Sequence, residues 1–298
     1  MKTIPKHSMK KRVAIINVDS KMPNLALMKL SAWHKKQGDA VELYVPLFQY
    51  DVAYASKVFD DTPDMAGYWP ECEIIKGGTG YDIKTEMAPE IECMRPDYEL
   101  FRVPYAMGFT TRGCIRNCEF CVVPEKEGTI RPVADIYDFW NGQKELMLLD
   151  NNLTAEPEHF KRILHQLIKE RIFTSFSQGL DIRLIDDEKA ALLKQVRLWR
   201  KKRIHFAFDF VAMEPAVRKG IFELTHAGIN PDDLTFYVLI GFNTTPDEDL
   251  YRVELLRTLK VSPFVMPFNR RDPYQRRFAR WVNHKATFHT CKWHEYTG

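Results

Sequence analysis

After residue 104, short apolar runs alternate along the chain with stretches whose apolar residues recur at helical spacing. In residues 157–170, for example, Phe160, Ile163, Leu164, Leu167 and Ile168 form one apolar helical stripe. The apolar runs predict six strands, at residues 105–111, 145–150, 173–184 (a strand with the loop that follows it), 203–210, 234–242 and 262–269. The stretches between them predict helices, at residues 132–142, 157–170, 187–202, 216–228 and 247–260. This alternation predicts an α/β fold in which residues 101–270 form a partial (βα)6 TIM-like barrel.

The first hundred residues have a different pattern. Apolar runs at 12–18, 41–46, 51–59 and 72–78 predict four strands, with one helix between the first two. We expect residues 1–100 to form a small open α/β, Rossmann-like domain. Residues 94–105 contain two prolines and little periodicity, and they are predicted to be the linker.

Composition and charge narrow the class of protein. The 298 residues are 45% hydrophobic and 28% charged, which is typical of a globular protein. A net charge of +3 does not indicate a polycation. Residues 1–12 are basic, but the apolar run that follows is too short for a signal peptide or a membrane span. We therefore expect a cytoplasmic protein without membrane contact, in a compartment where thiols stay reduced.

The densest chemical feature follows the first predicted strand of the barrel. Cys114, Cys118 and Cys121 have the spacing C-x3-C-x2-C and are three of the six cysteines. Such spacing favours a metal or iron–sulfur site over a disulfide framework. Three thiolates would leave one iron of a four-iron cubane without a protein ligand. A zinc site completed by a histidine, or buried free thiols, are the alternatives.

Polar residues also follow the other predicted strands. They are Asp150, Asn151 and Asn152, then Gln178, Asp181 and Arg183, then Asp209, and finally residues 243–249 and 269–271. In a parallel α/β fold the carboxyl ends of the strands share one edge, so these groups are expected to converge. Each set also has a structural interpretation, as a helix cap, a turn or a surface ion pair. Asp209, among phenylalanines, is costly to bury unless it is paired.

The cysteine motif, with Phe120 before the third cysteine and parallel βα units after it, resembles the radical S-adenosylmethionine superfamily. The resemblance covers roughly residues 104–270. Residues 238–249 are similar to the fifth-strand segment of these enzymes, with Asn243 and Thr244 in place of the usual proline and glycine. Residues 121–133 are similar to the segment after the cysteines in methylthiotransferase-like members.

The resemblance implies a chemistry and a set of ligands. Cys114, Cys118 and Cys121 would bind a [4Fe-4S] cluster, and S-adenosylmethionine would chelate the fourth iron. A reductant such as flavodoxin or ferredoxin would supply the electron that yields a 5′-deoxyadenosyl radical, which abstracts hydrogen from a substrate. Phe120 would lie beside the adenine, and Asp150, Asn151 and Asn152 occupy the place of the family's Gly-Gly-Glu motif. The candidates for the ribose hydroxyls and the methionine carboxylate are Gln178, Asp181, Arg183 and Asp209.

The N-terminal domain resembles the cobalamin-binding-like domain of some relatives. Residues 17–27 lack the histidine and glycine of the D-x-H-x-x-G motif, so no bound cobalamin is predicted. Methylthiotransferases carry three further cysteines in this domain, whereas this chain has only Cys72 and Cys93. Two alternative functions remain open: a cobalamin-dependent radical methyltransferase, and a non-catalytic iron–sulfur or zinc protein.

The last residues form a basic and aromatic stretch, which we treat as a C-terminal cap at 271–298. Residues 270–298 contain seven Lys or Arg, two acidic residues and six aromatic residues. This pattern suits a nucleotide or nucleic-acid substrate, with Arg280, Trp281 and Asn283 as candidate contacts. The alternative is a helical cap that packs its rings on the barrel.

Overall fold

The computed structural model describes residues 10–65, 67–199 and 204–298 and divides the chain into two compact units. The first comprises the described residues up to Met107, together with Tyr137–Gln143. The second comprises Gly108–Ile136 and Lys144–Gly298, which includes the C-terminal stretch. The return of residues 137–143 to the first unit was not predicted.

The first unit contains a parallel four-stranded sheet. In chain order its strands are β1 (Arg12–Asn17), β2 (Ala40–Leu43), β3 (Val52–Ser56) and β4 (Glu73–Gly77). The spatial order is β2-β1-β3-β4, so β1 lies in the interior of the sheet and residues 13–16 are buried. Helix α1 (Leu25–Gln37) begins after Asn24, whose side chain accepts a hydrogen bond from the backbone of Leu27. A short helix α2 (Pro89–Glu92) follows β4.

The second sheet contains all six strands predicted after residue 104. They are β5 (Ala106–Gly108), β8 (Glu145–Leu148), β9 (Phe173–Phe176), β11 (Ile204–Ala207), β12 (Leu234–Ile240) and β13 (Ser262–Pro267). They lie side by side in chain order, and the strands from β8 to β13 pair in parallel. The predicted α/β class with a mostly parallel sheet is confirmed. Position 203, where the fourth strand was expected to begin, lies outside the described residues.

Two small strand pairings accompany this sheet. Strand β10 (Arg197–Leu198) pairs with β9. Strands β6 (Thr111–Arg112) and β7 (Arg131–Pro132) form a separate antiparallel pair on either side of the cysteines. The second pairing closes the segment 111–132 into a loop.

The helices of the second unit follow its strands. They are α3 (Val123–Glu127), α4 (Pro157–Glu170), α5 (Asp187–Gln195), α6 (Glu214–His226), α7 (Pro246–Thr258), α8 (Pro273–Asn283) and α9 (Lys285–Thr290). The predicted apolar stripe of α4 is the buried face, with Phe160, Ile163, Leu164 and Leu167 fully buried. None of the helices in the described ranges is long and apolar enough to cross a membrane.

Two predicted helices differ from the structure. In place of a helix over 132–142, Pro132 ends β7 and a 3₁₀ turn forms at Ile136–Asp138; beyond it Gly142 adopts a left-handed conformation and Trp140 donates to the Gln143 carbonyl. The helix predicted over 187–202 ends at Gln195, where Val196 is extended and the chain enters β10. Positions 200–202 of that prediction lie outside the described residues.

Candidate active site at the carboxyl edge of the second sheet

The cysteine loop is rooted on a glycine that no other residue can replace without strain. Gly113 has a φ of 80°, and a Cβ atom there would lie 2.4 Å from the carbonyl oxygen of Thr129. The next residue, Cys114, donates its N–H to the carbonyl of Gly128 at 3.2 Å. The two ends of the loop therefore lie in direct backbone contact just before the first thiol.

The Glu127 carboxylate joins both ends of the loop to the next strand end. It accepts hydrogen bonds from Arg112 Nη1 at 3.0 Å and from the Gly113 N–H at 2.9 Å. It also accepts one from Asn151 Nδ2 at 2.7 Å. Asn151 thus binds this carboxylate in the structure. Glu127 was not predicted, and its only sequence signal is a carboxylate beside the glycine at which the loop returns.

Asp150 fixes the backbone that leads into the cysteine loop. Its Oδ1 accepts hydrogen bonds from both hydroxyls of Thr110 and Thr111, each at 2.7 Å, and from both of their backbone N–H groups. Its Oδ2 is buried and has no hydrogen-bond partner among the described residues. Burial raises the pKa of Asp150. This geometry gives Asp150 a structural role at the loop, and its expected cofactor contact stays a prediction.

The three thiols lie along the loop, all partly buried. Cys114 Sγ accepts a hydrogen bond from the Arg116 N–H at 3.3 Å and a longer one from Asn152 Nδ2 at 3.6 Å. Burial raises the pKa of Cys118 and of Cys121, and the neighbouring thiols act in the same direction. No group of three metal-binding side chains stands in ligating geometry within the described ranges. Three soft donors on one short loop nevertheless match the ligands of an iron–sulfur cluster or zinc.

Asp181 is the centre of the charged network beside the thiols. This buried carboxylate accepts hydrogen bonds from Arg183 Nε at 2.7 Å and Nη2 at 3.0 Å, and from Arg116 Nε at 2.8 Å. Asn152 Nδ2 lies 3.5 Å from it. Burial raises the pKa of Asp181, but the two arginines outweigh it and hold the pKa below its ordinary value. Two guanidinium groups share one carboxylate, so the network adds positive charge beside the loop.

Asp209 is held at the end of β11 by the neighbouring strand. Its Oδ1 accepts a hydrogen bond from the Leu239 N–H at 3.1 Å. Burial raises the pKa of this carboxyl. Asp209 also lies close enough to Cys118 and Cys121 for its charge to raise the pKa of both thiols. The predicted convergence of Asp181, Arg183, Asp209 and the cysteine loop is therefore present in the structure.

Arg252, which was not predicted, hydrogen-bonds the backbone where β11 and β12 end. The side chain is fully buried and donates to the carbonyl oxygens of Phe208, Asp209 and Leu239 at 2.7–2.9 Å. It also pairs with Asp249 at 2.6 Å. In the sequence this arginine looks like any other charged residue of a surface helix.

The aromatic residues near the loop form a chain of ring contacts. The Phe120 ring lies 5.4 Å from that of Phe242 and 6.3 Å from that of Phe210, measured between centroids. Phe242 lies 4.9 Å from Phe268, the residue after β13. Gln178, also predicted for the site, is exposed.

The departures from the family's fifth-strand pattern have local explanations. Asn243 adopts a φ of 50°, which asparagine tolerates better than most residues. Its Nδ2 lies 3.5 Å from Glu119 Oε2 in the cysteine loop. Thr244 Oγ1 donates to Asp249 at 2.8 Å, so this loop is tied to the buried Arg252 pair.

Two of the three C-terminal candidates bond to nearby backbone, and the substrate contacts predicted for all three stay predictions. Trp281 is fully buried and donates its Nε1 proton to the carbonyl of Cys291 at 2.9 Å. The Asn283 side chain bonds both the N–H and the carbonyl of Val265, at 2.7 and 2.9 Å. Only Arg280 is exposed without a structural role of this kind. Trp281 packs with Phe278 and Phe288 in a buried ring cluster, so the structure favours the helical-cap interpretation.

The fold and the site together define an α/β protein with a three-cysteine loop at the carboxyl edge of a mostly parallel sheet. This fold is similar to that of the radical S-adenosylmethionine methyltransferase TsrM from Kitasatospora setae, solved with cobalamin and a [4Fe-4S] cluster bound. The TM-score is 0.65 at 12% sequence identity, over 87% of this chain and 75% of that one. No family model and no curated protein matches the sequence. At this identity the likeness establishes the fold.

Proposed function

We propose that this chain is a radical S-adenosylmethionine enzyme whose second unit is a partial (βα)6 barrel. Cys114, Cys118 and Cys121 would hold a [4Fe-4S] cluster, and S-adenosylmethionine would complete the coordination of the fourth iron. The main support is the cysteine loop at the carboxyl edge of a sheet shared with a radical S-adenosylmethionine enzyme. When bound, such a cluster supplies the electron that cleaves the sulfonium and leaves a radical able to abstract hydrogen.

The protein's own residues bind and orient. Glu127 and Asp150 hold the loop, so the three thiols are presented on a fixed backbone. The guanidinium groups of Arg116 and Arg183 lie beside the thiols, where their charge offsets that of a thiolate-bound cluster and attracts a carboxylate. Phe120 contributes an apolar ring at the same edge.

The first unit, which we propose is Rossmann-like, does not fit a cobalt ligand. Its only histidine within the described residues is His34, which is buried and uses both ring nitrogens, toward Asp39 and Tyr54. At the carboxyl edge of its sheet, Gly78 packs directly on the backbone of Lys57. We therefore assign no cobalt-ligating residue among the described residues of this unit, and the proposed reaction does not use cobalamin.

Anaerobic reconstitution with iron and sulfide tests the proposal. We expect about four irons per chain, and formation of 5′-deoxyadenosine from S-adenosylmethionine with dithionite or a flavodoxin or ferredoxin system. Cys118→Ala should lose iron and turnover, because one cluster ligand is absent. The matched control is Cys93→Ala, which removes an exposed thiol from the first unit and should change neither.

Each failure has a distinct meaning. One zinc per chain in place of iron would support the non-catalytic alternative. Four irons without any 5′-deoxyadenosine would leave an iron–sulfur protein that is not a radical enzyme. Equal iron loss in Cys93→Ala and Cys118→Ala would refute the assigned ligands.

A further inference from the structure

The solvent-facing side of α8 is basic and carries no acidic residue. Arg276, Arg277 and Arg280 are exposed on this helix, and Arg271 is exposed just before it begins. From the start of α8 to residue 294 the sequence contains no aspartate or glutamate. The nearest acidic residue, Asp272, caps the helix by accepting the Gln275 N–H at 2.8 Å. The positive charge of this face is therefore not balanced within its own segment.

Other helices of the second unit balance such charges locally. On α6, for example, Arg218 bonds the Glu214 carboxylate one turn away at 2.7 Å. The side chains of Arg276 and Arg280 have no such partner among the described residues. A solvated helix face ordinarily alternates charges of both signs. A face of unpaired arginines is instead typical of a surface that binds an anionic partner.

The aromatic rings of this stretch do not lie on the basic face. Phe278 and Trp281, on the other side of α8, are fully buried and pack against each other at 5.4 Å. Trp293 is partly buried, and the Arg277 guanidinium lies 4.7 Å from its ring centre. A helix that binds a membrane inserts its apolar side, and α8 has none to offer. A surface for single-stranded nucleic acid stacks bases on exposed rings, and the exposed positions of α8 carry none.

The spacing and the type of these cations suit a row of phosphates. Arg276 and Arg280 are one helical turn apart, about 6 Å along the axis of α8. Each guanidinium is a planar fork that binds a phosphate with two hydrogen bonds, which an ammonium group does not do. Arg271 stands at the end of the helix nearest β13, where the Asn269 N–H donates to Gln275 Oε1 at 2.9 Å. The three arginines therefore follow the helix from one end.

We propose that the face carrying Arg271, Arg276 and Arg280 is a binding surface for double-helical nucleic acid, held through its phosphates. Charge complementarity is the main argument, since a duplex carries about one negative charge per 1.7 Å of its axis and this face carries only positive charge. Contacts to phosphates position a duplex without reading its sequence, so no exposed ring or base contact is required. The surface is independent of the cluster, and the proposal does not rest on the proposed function.

Fluorescence anisotropy of the full-length reconstituted chain tests the proposal, with a labelled RNA duplex, a DNA duplex and single-stranded RNA of the same length. We expect both duplexes to bind more tightly than the single strand, because no ring on the face is available to stack bases. The logarithm of the affinity should fall linearly with the logarithm of the salt concentration between about 50 and 200 mM, with a slope of about −0.9 for each phosphate contact.

The double variant Arg276→Gln/Arg280→Gln should weaken duplex binding by about tenfold or more at about 50 mM salt and should reduce the salt slope by about 2, because two phosphate contacts are lost. The matched control is Arg218→Gln/Lys219→Gln, which removes the same charge from exposed positions of α6. It should leave the affinity and the slope close to those of the parent chain. Arg271→Gln, outside the helix, is a second test that should reduce the slope by about 1.

Three results would overturn the proposal. Equal loss of binding in the α8 and α6 double variants would show that net charge, and not this face, attracts the duplex. Tighter binding of the single strand than of either duplex would show that bases are stacked elsewhere on the chain. Binding of phosphatidylserine vesicles but of no duplex, abolished in the α8 variant, would make the face a lipid-binding surface. Iron content and 5′-deoxyadenosine formation enter none of these measurements, so failure here is distinguishable from failure of the radical chemistry.

Discussion

The two sheets place polar residues at the same topological position and use them differently. In the first unit, Asp19 follows β1, and its two carboxylate oxygens accept the backbone N–H groups of Val58 and Phe59 at 2.9 and 2.8 Å. In the second unit, Asp181 lies in the turn after β9 and accepts its bonds from two arginine side chains. Only the second arrangement leaves charged side chains grouped around a loop of thiols.

The carboxyl edge of the first sheet is filled by its own loops, whereas that of the second sheet leaves side chains next to the thiols. In the first unit a Cβ on Gly80 would meet the Phe59 carbonyl at 2.5 Å, so the loops themselves fill the edge. In the second unit the backbone contact joins Cys114 to Gly128, where the loop begins and ends. Polar side chains from the following strand ends, such as Asn152, then lie next to the thiols. The two strand ends differ in Asp19 and Asp181: Asp19 accepts only backbone N–H groups, whereas Asp181 also gathers two arginine side chains beside the thiols.

The largest effect is expected for Arg252, whose buried guanidinium binds backbone at the carboxyl edge of the second sheet. Arg252→Ala leaves three carbonyl oxygens and the Asp249 carboxylate without their partner, in a position where Arg252 is fully buried. We expect a loss of about 3–5 kcal/mol in the free energy of unfolding, measured by urea denaturation. The control is Arg218→Ala, an exposed arginine paired with Glu214, which should leave the free energy of unfolding close to that of the parent chain. Similar losses in both variants would show that burial of Arg252 is not what stabilises this edge.

The second prediction uses one glycine from each edge. Gly113→Ala should cost about 2–4 kcal/mol of stability, because its Cβ would meet backbone at 2.4 Å and its φ is 80°. It should also lower the iron content after reconstitution, since the thiols that follow would be displaced. Gly78→Ala meets the Lys57 carbonyl at the same distance, 2.4 Å, and should lose similar stability while retaining its iron.

A third glycine separates backbone strain from the clash. Gly228 has a φ of 87° but only the flexible Lys194 side chain nearby, so Gly228→Ala should cost about 1 kcal/mol and no iron. If Gly78→Ala lost iron as Gly113→Ala does, the contrast between the two edges would be wrong.

The sequence predicted the features that follow from periodicity and spacing. The six predicted strands of the second sheet and the apolar stripe of α4 lie where the pattern placed them, because burial on one side enforces the period. Asp181, Arg183 and Asp209 were predicted to converge with the cysteine loop, since the carboxyl ends of parallel strands share an edge. This convergence follows from the topology of a parallel sheet and needs no knowledge of side-chain contacts.

Partners within the site could not be predicted. Nothing in the sequence shows that Asp150 faces Thr110 and Thr111, or that Arg252 is buried below Asp209. Trp281 was a candidate substrate contact, yet its ring completes a buried cluster with Phe278 and Phe288. A basic and aromatic composition is the same for a binding surface and for a helix that packs its rings inward, and only tertiary packing separates the two.

The smallest effect concerns a carboxylate of the first unit that stabilises the fold. Asp97 is partly buried and accepts hydrogen bonds from Ser31 Oγ and from Lys35 Nζ of α1, both at 2.6 Å. Burial raises its pKa, but these bonds outweigh burial and hold the pKa of Asp97 below its usual range. A lowered folded-state pKa stabilises the fold above the unfolded value of about 3.9, and this stability is lost as the pH falls through the folded pKa.

Asp97→Asn should therefore be less stable than the parent chain at pH 7, by about 1–2 kcal/mol, and the difference should shrink as the pH falls below about 4. Urea denaturation at pH 7, 5 and 3.5 measures the difference in the free energy of unfolding and its change with pH. Lys35→Met is the control: its ammonium is 41% exposed, so it should cost less than about 1 kcal/mol at pH 7. Iron content should be unchanged in both variants, because Asp97 and Lys35 lie in the first unit, whereas the three thiols lie in the second. A difference between Asp97→Asn and the parent that persisted unchanged at pH 3.5 would mean that the lost shape of the carboxylate, and not its charge, accounts for the effect.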